Sequence, residues 1–291
     1  MEIITSTKNE KIKNIAALLK SKKERDAQGF FVIEGMRLFR DTLKTAPQYI
    51  ESVFVSESCD FAKNPKSLLE TINNPQNADQ KMSNLSKKVA LDNKRLQFEA
   101  GKSSLYESKV FVVKDSVLDS VSGTVTSQGV MAIVRKPDHS LEEVLSFGKK
   151  FLVLENIQDP GNLGTMLRTA EAAGMDGIIM SPDCTDIYSP KVVRSSMGSI
   201  FRMPFVYCEN FGKALNQIRR CGVTVYAAYL HGGISYKETE YDDKYAILIG
   251  NEGNGLTDES VALADKRIFI PMAGEIESLN AAVAAAILMY R

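Results

Sequence analysis

The fold class predicted is α/β in two parts, the second a parallel sheet with helices on both faces. Three observations predict it. From Phe151 onward, short apolar runs alternate with helical stretches, the pattern of a parallel sheet buried on both sides. The chain has 291 residues, more than the roughly 100–200 usual for one domain. Third, a separate set of apolar runs precedes Pro137, divided from the later set by a polar exit, Pro137-Asp138-His139-Ser140. These divide the chain into an α/β domain at 1–137, a linker with a short helix at 138–148, and a second domain at 149–291.

In the first part, Ile3-Ile4 reads as extended, and Ser6-Thr7 leads into a helix in which Ile12, Ile15, Leu18 and Leu19 share a face and lysines fill the rest. Phe30-Phe31-Val32-Ile33 reads as a buried strand, Gly35 as a turn, Leu38 to Leu43 as part of a helix, and Val53-Phe54-Val55 as a second strand. From about Asp60 to Tyr106 the composition turns polar, with a basic helix-like run from Leu85 to Phe98. So long a stretch is either a functional excursion or a mobile insertion. Val110 to Val113 and Val130 to Val134 complete the strands.

The second part places strands at Phe151 to Leu154, Gly177 to Met180, Val223 to Ala227 and Ala246 to Ile249. A final strand, Ile268-Phe269-Ile270, stops at Pro271; after a polar turn, Ser278-Leu279-Asn280 opens an alanine-rich helix. Its larger apolar residues, Leu279, Val283 and Ile287, recur every four positions and predict one face, with Ser278 a natural N-cap. Ligands of such sheets sit at the carboxyl ends of the strands. Three polar stretches lie there: Pro160 to Arg168, Gly250 to Gly253, and Met272 to Asn280.

Composition and motifs exclude several classes. Lys plus Arg (36) equals Asp plus Glu (36), so positive surface must come from local segregation. Two segments supply it: Lys8, Lys11, Lys13, Lys20, Lys22, Lys23 and Arg25, then Lys81, Lys87, Lys88, Lys94, Arg95 and Lys102. Cys59, Cys184, Cys208 and Cys221 have neither zinc-site spacing nor the density of a disulfide scaffold. His139 and His231 have no matching ligand spacing, so no metal is expected. The sequence has no GxGxxG after a first strand, no GxxxxGK[ST] and no GxSxG, which argues against NAD, ATP and a serine hydrolase. With no apolar signal segment and no run of about 18–20 apolar residues, the expected location is the cytoplasm, without a membrane partner.

Taken together, Asn156 to Ala170, Ile249-Gly250-Asn251-Glu252-Gly253, and Ile270-Pro271-Met272 with Ser278-Leu279-Asn280 resemble, in order and spacing, the three motifs of the SpoU (TrmH) group of SPOUT RNA ribose 2′-O-methyltransferases. Asn9 to Lys13, Phe31 to Gly35 and Gln128-Gly129-Val130 resemble the ribosomal-protein-like substrate-binding domain of ribosomal-RNA members. The resemblance implies a deep trefoil knot at the C-terminus, S-adenosylmethionine as cofactor, a homodimer, and RNA rather than DNA as partner, since DNA offers no 2′-hydroxyl. The implied substrate is 23S ribosomal RNA. Transfer RNA, or a knotted RNA-binding protein without turnover, are the alternatives.

By matching position, the resemblance assigns cofactor contacts to Gly250, Ile270 and Leu279, with Ala228 added at the end of the Val223 strand. It assigns catalytic work to Arg168, Asn162, Glu252, Ser278 and Asn280. A guanidinium is effectively never deprotonated, so Arg168 is expected to clamp the adjacent phosphate and polarise the 2′-oxygen. Asn162 and Asn280 would position Arg168 and the ribose, Ser278 would hydrogen-bond nearby, and Glu252 would orient the loop or the arginine.

Overall fold

A computed structural model describes residues 3–63, 109–123 and 128–290. The basic run from Lys81 to Lys102 and the helix-like stretch Leu85 to Phe98 lie outside them. Contacts divide the chain into two units: Met1–Pro137 with Tyr188–Arg202, and Asp138–Ile187 with Met203–Arg291.

The first unit contains helices α1 (Glu10–Lys20), α2 (Lys22–Gln28), α3 (Met36–Thr45), α4 (Asp60–Lys63) and α5 (Asp115–Asp119) among its described residues. Its strands β1 (Phe30–Glu34), β2 (Ile50–Ser56), β3 (Lys109–Val113) and β4 (Val130–Arg135) form a sheet in the order β1-β4-β2-β3. β4 is antiparallel to β1 and β2, while β3 runs parallel to β2. Asn9 caps α1 by accepting from the Lys11 amide at 2.9 Å. Ile12, Ile15 and Leu18 of that helix then pack against Val32, Phe54, Met131 and Ile133, with Val117 and Leu118 of α5. Ile4 pairs with Val113, so the extended start is held by the sheet.

Tyr188–Arg202 follows the first strands of the other unit in sequence yet clusters with this one. Its helix α6 (Pro190–Ser195) packs on β1. The Tyr188 and Phe201 rings lie 4.9 Å and 5.9 Å from the Phe31 ring.

The second unit holds seven parallel strands: β5 (Lys150–Leu154), β6 (Gly177–Met180), β7 (Phe205–Tyr207), β8 (Thr224–Ala228), β9 (Ile234–Ser235), β10 (Tyr245–Ile249) and β11 (Lys266–Phe269). Their order is β7-β6-β5-β10-β8-β11-β9. The apolar-run reading anticipates β5, β6, β8, β10 and β11, whereas β7 and β9 are too short to show a pattern. Helices α7 (Leu141–Ser146), α8 (Phe211–Arg220) and α9 (Asp258–Leu263) cover one face, burying Val144, Leu215, Ile218 and Val261 over Val153, Val225, Ala246 and Leu248. On the other face α10 (Pro160–Ala172) packs against α11 (Ala281–Met289), which also rests on β10.

Helix α11 corrects two expectations. It begins at Ala281, and its cap is Asn280, not Ser278: the Asn280 side-chain Oδ1 accepts from the amides of Ala282 and Val283 at 2.9 and 3.2 Å. Its buried residues are Ala282, Ala285, Leu288 and Met289, while Val283 is 48% exposed. Close approach to α10 selects the small Ala282 and Ala285 for the inside, with Leu288 and Met289 also buried, and leaves Val283 outward. No helix among the described residues is long and apolar enough to cross a membrane.

The sheet orders the loops that follow it. After β5 the chain steps to β6 on one side, whereas β10 pairs on the other, so the loops leaving β5 and β10 meet at a switch in strand order, where such sheets open a crevice. Buried Glu155 at the end of β5 accepts from the Thr257 amide (2.9 Å), Thr257 Oγ1 (2.8 Å) and Ser260 Oγ (2.5 Å), fixing β5 to the start of α9. Glu155→Ala leaves these donors unpaired and is expected to cost about 3 kcal/mol in urea unfolding. Removal of exposed Ser146 Oγ by Ser146→Ala should stay within about 0.5 kcal/mol.

Candidate active site

Three loops converge at the carboxyl ends of the strands, each positioned by the strand before it. The loop after β5 runs from Asn156 to α10. Asn156 sits at φ 55°, a left-handed conformation that asparagine tolerates better than most residues. Its amide donates to Ser181 Oγ at 2.8 Å, and Ser181 Oγ donates back to Asn156 Oδ1 at 2.8 Å. Asp159 caps α10 by accepting from the Asn162 amide at 2.8 Å, and Pro160 opens the helix.

The loop after β10 closes on itself. Asn251 and Gly255 exchange two backbone hydrogen bonds of 2.9 Å, and Asn251 Oδ1 accepts from the amides of Gly253 and Asn254. Asn251 Nδ2 donates to the Asn156 carbonyl at 2.7 Å, joining this loop to the first. A Cβ at Gly250 would lie 2.3 Å from backbone atoms of Gly255 and Leu256. The glycine is therefore demanded by the loop's own fold.

One network crosses all three motifs. Glu252 accepts from the amides of Gln158 and Asp159 and from Asn162 Nδ2, each at 3.0 Å. Asn162 Oδ1 in turn accepts from Asn280 Nδ2 at 3.0 Å, and Asn280 caps α11. Desolvation pushes the Glu252 carboxyl up, but the hydrogen bonds from Asn162, Gln158 and Asp159 outweigh it and hold it below the ordinary glutamate value.

Beside the network lies a cavity of about 400 Å³, within the range of small-molecule sites. All four residues expected to contact cofactor line it: Ala228, Gly250, Ile270 and Leu279. Glu252 and Ser278 line it too, with Leu288 and Met272 among the apolar walls. Asn162 and Asn280 stand behind this lining and reach it through Glu252. Arg168 is apart from them: it is exposed on α10, lies outside the cavity, and makes no hydrogen bond or ion pair among the described residues. Sequence reasoning missed the Tyr229-Leu230-His231 segment, which also lines the cavity; its position directly after Ala228 was the available signal. No cluster of three or more metal-ligating side chains occurs among the described residues.

Glu252→Gln tests the network. The folded carboxyl titrates below 4.5, so its stabilising contribution is complete above that pH and is lost as pH falls through the folded value. The variant should melt below wild type at pH 7, and the two melting temperatures should converge as the pH drops below 4.5.

Residues 149–290 match the SpoU rRNA Methylase family, and residues 9–91 match the MRM3-like substrate binding domain. The 23S rRNA (guanosine(2553)-2′-O)-methyltransferase RlmP of Bacillus subtilis is 31% identical over 290 residues, covering 100% of this chain and 98% of the relative. The mitochondrial rRNA methyltransferase 3A of Danio rerio is 30% identical, covering 96% of this chain and 67% of its own length. An S-adenosylmethionine-bound rRNA methyltransferase from Sinorhizobium meliloti superposes with a TM-score of 0.77 at 28% identity, covering 99% of this chain and 96% of that one. With its motifs joined by one hydrogen-bonded network and a relative alike along its full length, the chain belongs to the SpoU rRNA methylase family.

Proposed function

We propose that the protein transfers a methyl group from S-adenosylmethionine to a ribose 2′-hydroxyl of ribosomal RNA, the large-subunit RNA named for the Bacillus subtilis relative being the first candidate. The observation that carries this reading is the chain of hydrogen bonds from Asn280 through Asn162 to Glu252 beside an apolar cavity. The cavity suits the cofactor. Ile270, Leu279 and Leu288 offer apolar walls to a purine, and the run from Ile270 to Asn280 has no regular secondary structure, leaving backbone groups uncommitted to a helix or ladder. Glu252 and Glu277 put negative charge in the lining, which favours a sulfonium cation.

When bound, the cofactor supplies a methyl group already activated for displacement. The chain's own residues must then align the 2′-oxygen and help its proton leave. Asn162 and Asn280 act as positioning residues through Glu252, and Ser278 is placed to hydrogen-bond the ribose. A guanidinium is no proton acceptor, so Arg168 clamps the phosphate beside the target and polarises the 2′-oxygen, while a phosphate oxygen or water takes the proton.

Because Arg168 lies outside its own chain's cavity, we assign it to a site completed by a second copy. The outward Val283 and Tyr290, 48% and 61% exposed, give that homodimer an apolar face. The threading of the C-terminal segment into a trefoil knot and a cytoplasmic location belong to the same reading.

Thermal unfolding and methyl transfer test it. S-adenosylmethionine at a hundredfold excess over its Kd should stabilise the protein by about 2.7 kcal/mol, with no shift from NAD or ATP. Labelled methyl should appear on ribose 2′-oxygens of ribosomal RNA; label on transfer RNA alone, or no turnover, would select one of the alternatives. Arg168→Lys should reduce kcat by about tenfold or more, since an ammonium cannot reproduce a two-pronged phosphate contact. Near-normal turnover in that variant would contradict the clamp.

A further inference from the structure

The first unit holds a second cleft, of about 680 Å³, far richer in charge than the cofactor cavity. One wall is α3, carrying Arg37, Arg40 and Lys44; the other includes Arg194 and Arg202. Two carboxylates, Glu34 and Asp41, also line it. Five cations against two anions is an imbalance in a chain whose total charge is zero.

The carboxylates are already engaged. Buried Glu34 accepts from Ser122 Oγ and from the Gly123 amide, and stands 4.0 Å from Arg194. Asp41 pairs with Arg202 at 2.5 Å. The fit around Asp41 is close: Gly198 lies at φ 86°, and a Cβ there would be 2.1 Å from Asp41 Oδ2. These pairs therefore build the wall and leave the α3 cations outside any ion pair, Arg40 feeling only the through-space field of Asp60. Arg37, Arg40 and Lys44 are exposed and have no hydrogen-bond or ion-pair partner among the described residues. At about 1.5 Å of rise per residue they extend about 10 Å along the helix, so they face a stretch of charge and not a single point.

We infer that this cleft grips the phosphodiester backbone of the RNA substrate, with Arg37, Arg40 and Lys44 as the contacting residues and the Arg194–Glu34 and Arg202–Asp41 pairs as positioning residues. The inference rests on the RNA methyltransferase reading and adds where the RNA is held. It also divides the work between the two family matches, since α3 falls within residues 9–91 while Arg194 and Arg202 fall within residues 149–290. Spaced cations on an exposed helix suit a polyanion, and phosphate contacts of this kind position a nucleic acid without reading its sequence.

The test uses the full chain, transcribed large-subunit ribosomal RNA, and the combined variant Arg37→Ala, Arg40→Ala, Lys44→Ala. RNA binding at several salt concentrations should show a log K against log salt slope shallower by about 2, from losing 0.7–0.9 per phosphate contact. The KM for RNA should rise about tenfold or more, while kcat and the affinity for S-adenosylmethionine stay unchanged. Arg37→Lys with Arg40→Lys should keep most of the salt slope, because charge is retained. Wild-type RNA affinity and salt slope in the alanine variant would overturn the inference, as would loss of binding to an acidic protein with RNA binding intact. If wild type itself neither binds nor methylates RNA, the functional reading fails first and carries this inference with it.

Discussion

One carboxylate holds the second unit's loops together. Glu252, on the loop after β10, accepts from two backbone amides just ahead of α10 and from Asn162 in its first turn. Amides at a helix entrance have no partner within the helix, and the helix dipole favours negative charge there. Glu252 answers both needs, and its depressed pKa keeps it ionised at neutral pH. Asn162 then passes the constraint to Asn280, whose side-chain Oδ1 caps α11. Each asparagine acts as donor and acceptor at once, which a carboxylate or a hydrocarbon at either position could not do.

From this follows the form of the cavity. The loop bearing Glu252 can turn tightly because Gly250 has no side chain to strike Gly255 and Leu256. Glu155, beneath it, secures the start of α9, so the floor is fixed from the side opposite α10 and α11. Rigid loops beside apolar walls suit a ligand recognised largely by backbone groups. The first unit needs no such precision for its part, because phosphate contacts tolerate many sequences.

Much of this was legible in the residues, for reasons that also mark the limits. Phe151 to Leu154 and Ala246 to Ile249 are central strands, and Phe31 to Ile33 is buried although β1 lies at its sheet's edge; continuous apolar runs report such burial directly. Phe205–Tyr207 and Ile234–Ser235 carry too few residues for a period. The last helix misleads because the four-residue recurrence of Leu279, Val283 and Ile287 predicts one face that does not coincide with the buried one: Leu279 precedes the helix and Val283 is exposed. Close packing against α10 instead admits Ala282 and Ala285, and small side chains leave no strong periodic signal. The association of Tyr188–Arg202 with the first unit depends on ring contacts with Phe31, which no local pattern encodes. The network itself was half visible: motif order named Asn162, Glu252 and Asn280, but only geometry reveals that they bond one another while Arg168 stands apart.

The central claim is that the three motif loops form one energetically coupled unit serving the cofactor. A double-mutant cycle on Asn162→Ala and Asn280→Ala, read as S-adenosylmethionine affinity by calorimetry, tests it most directly. The account predicts that the double variant loses less affinity than the two single losses added together, by about 0.5–3 kcal/mol for residues in contact. Strict additivity of the two losses, or single variants that bind as tightly as wild type, would contradict it.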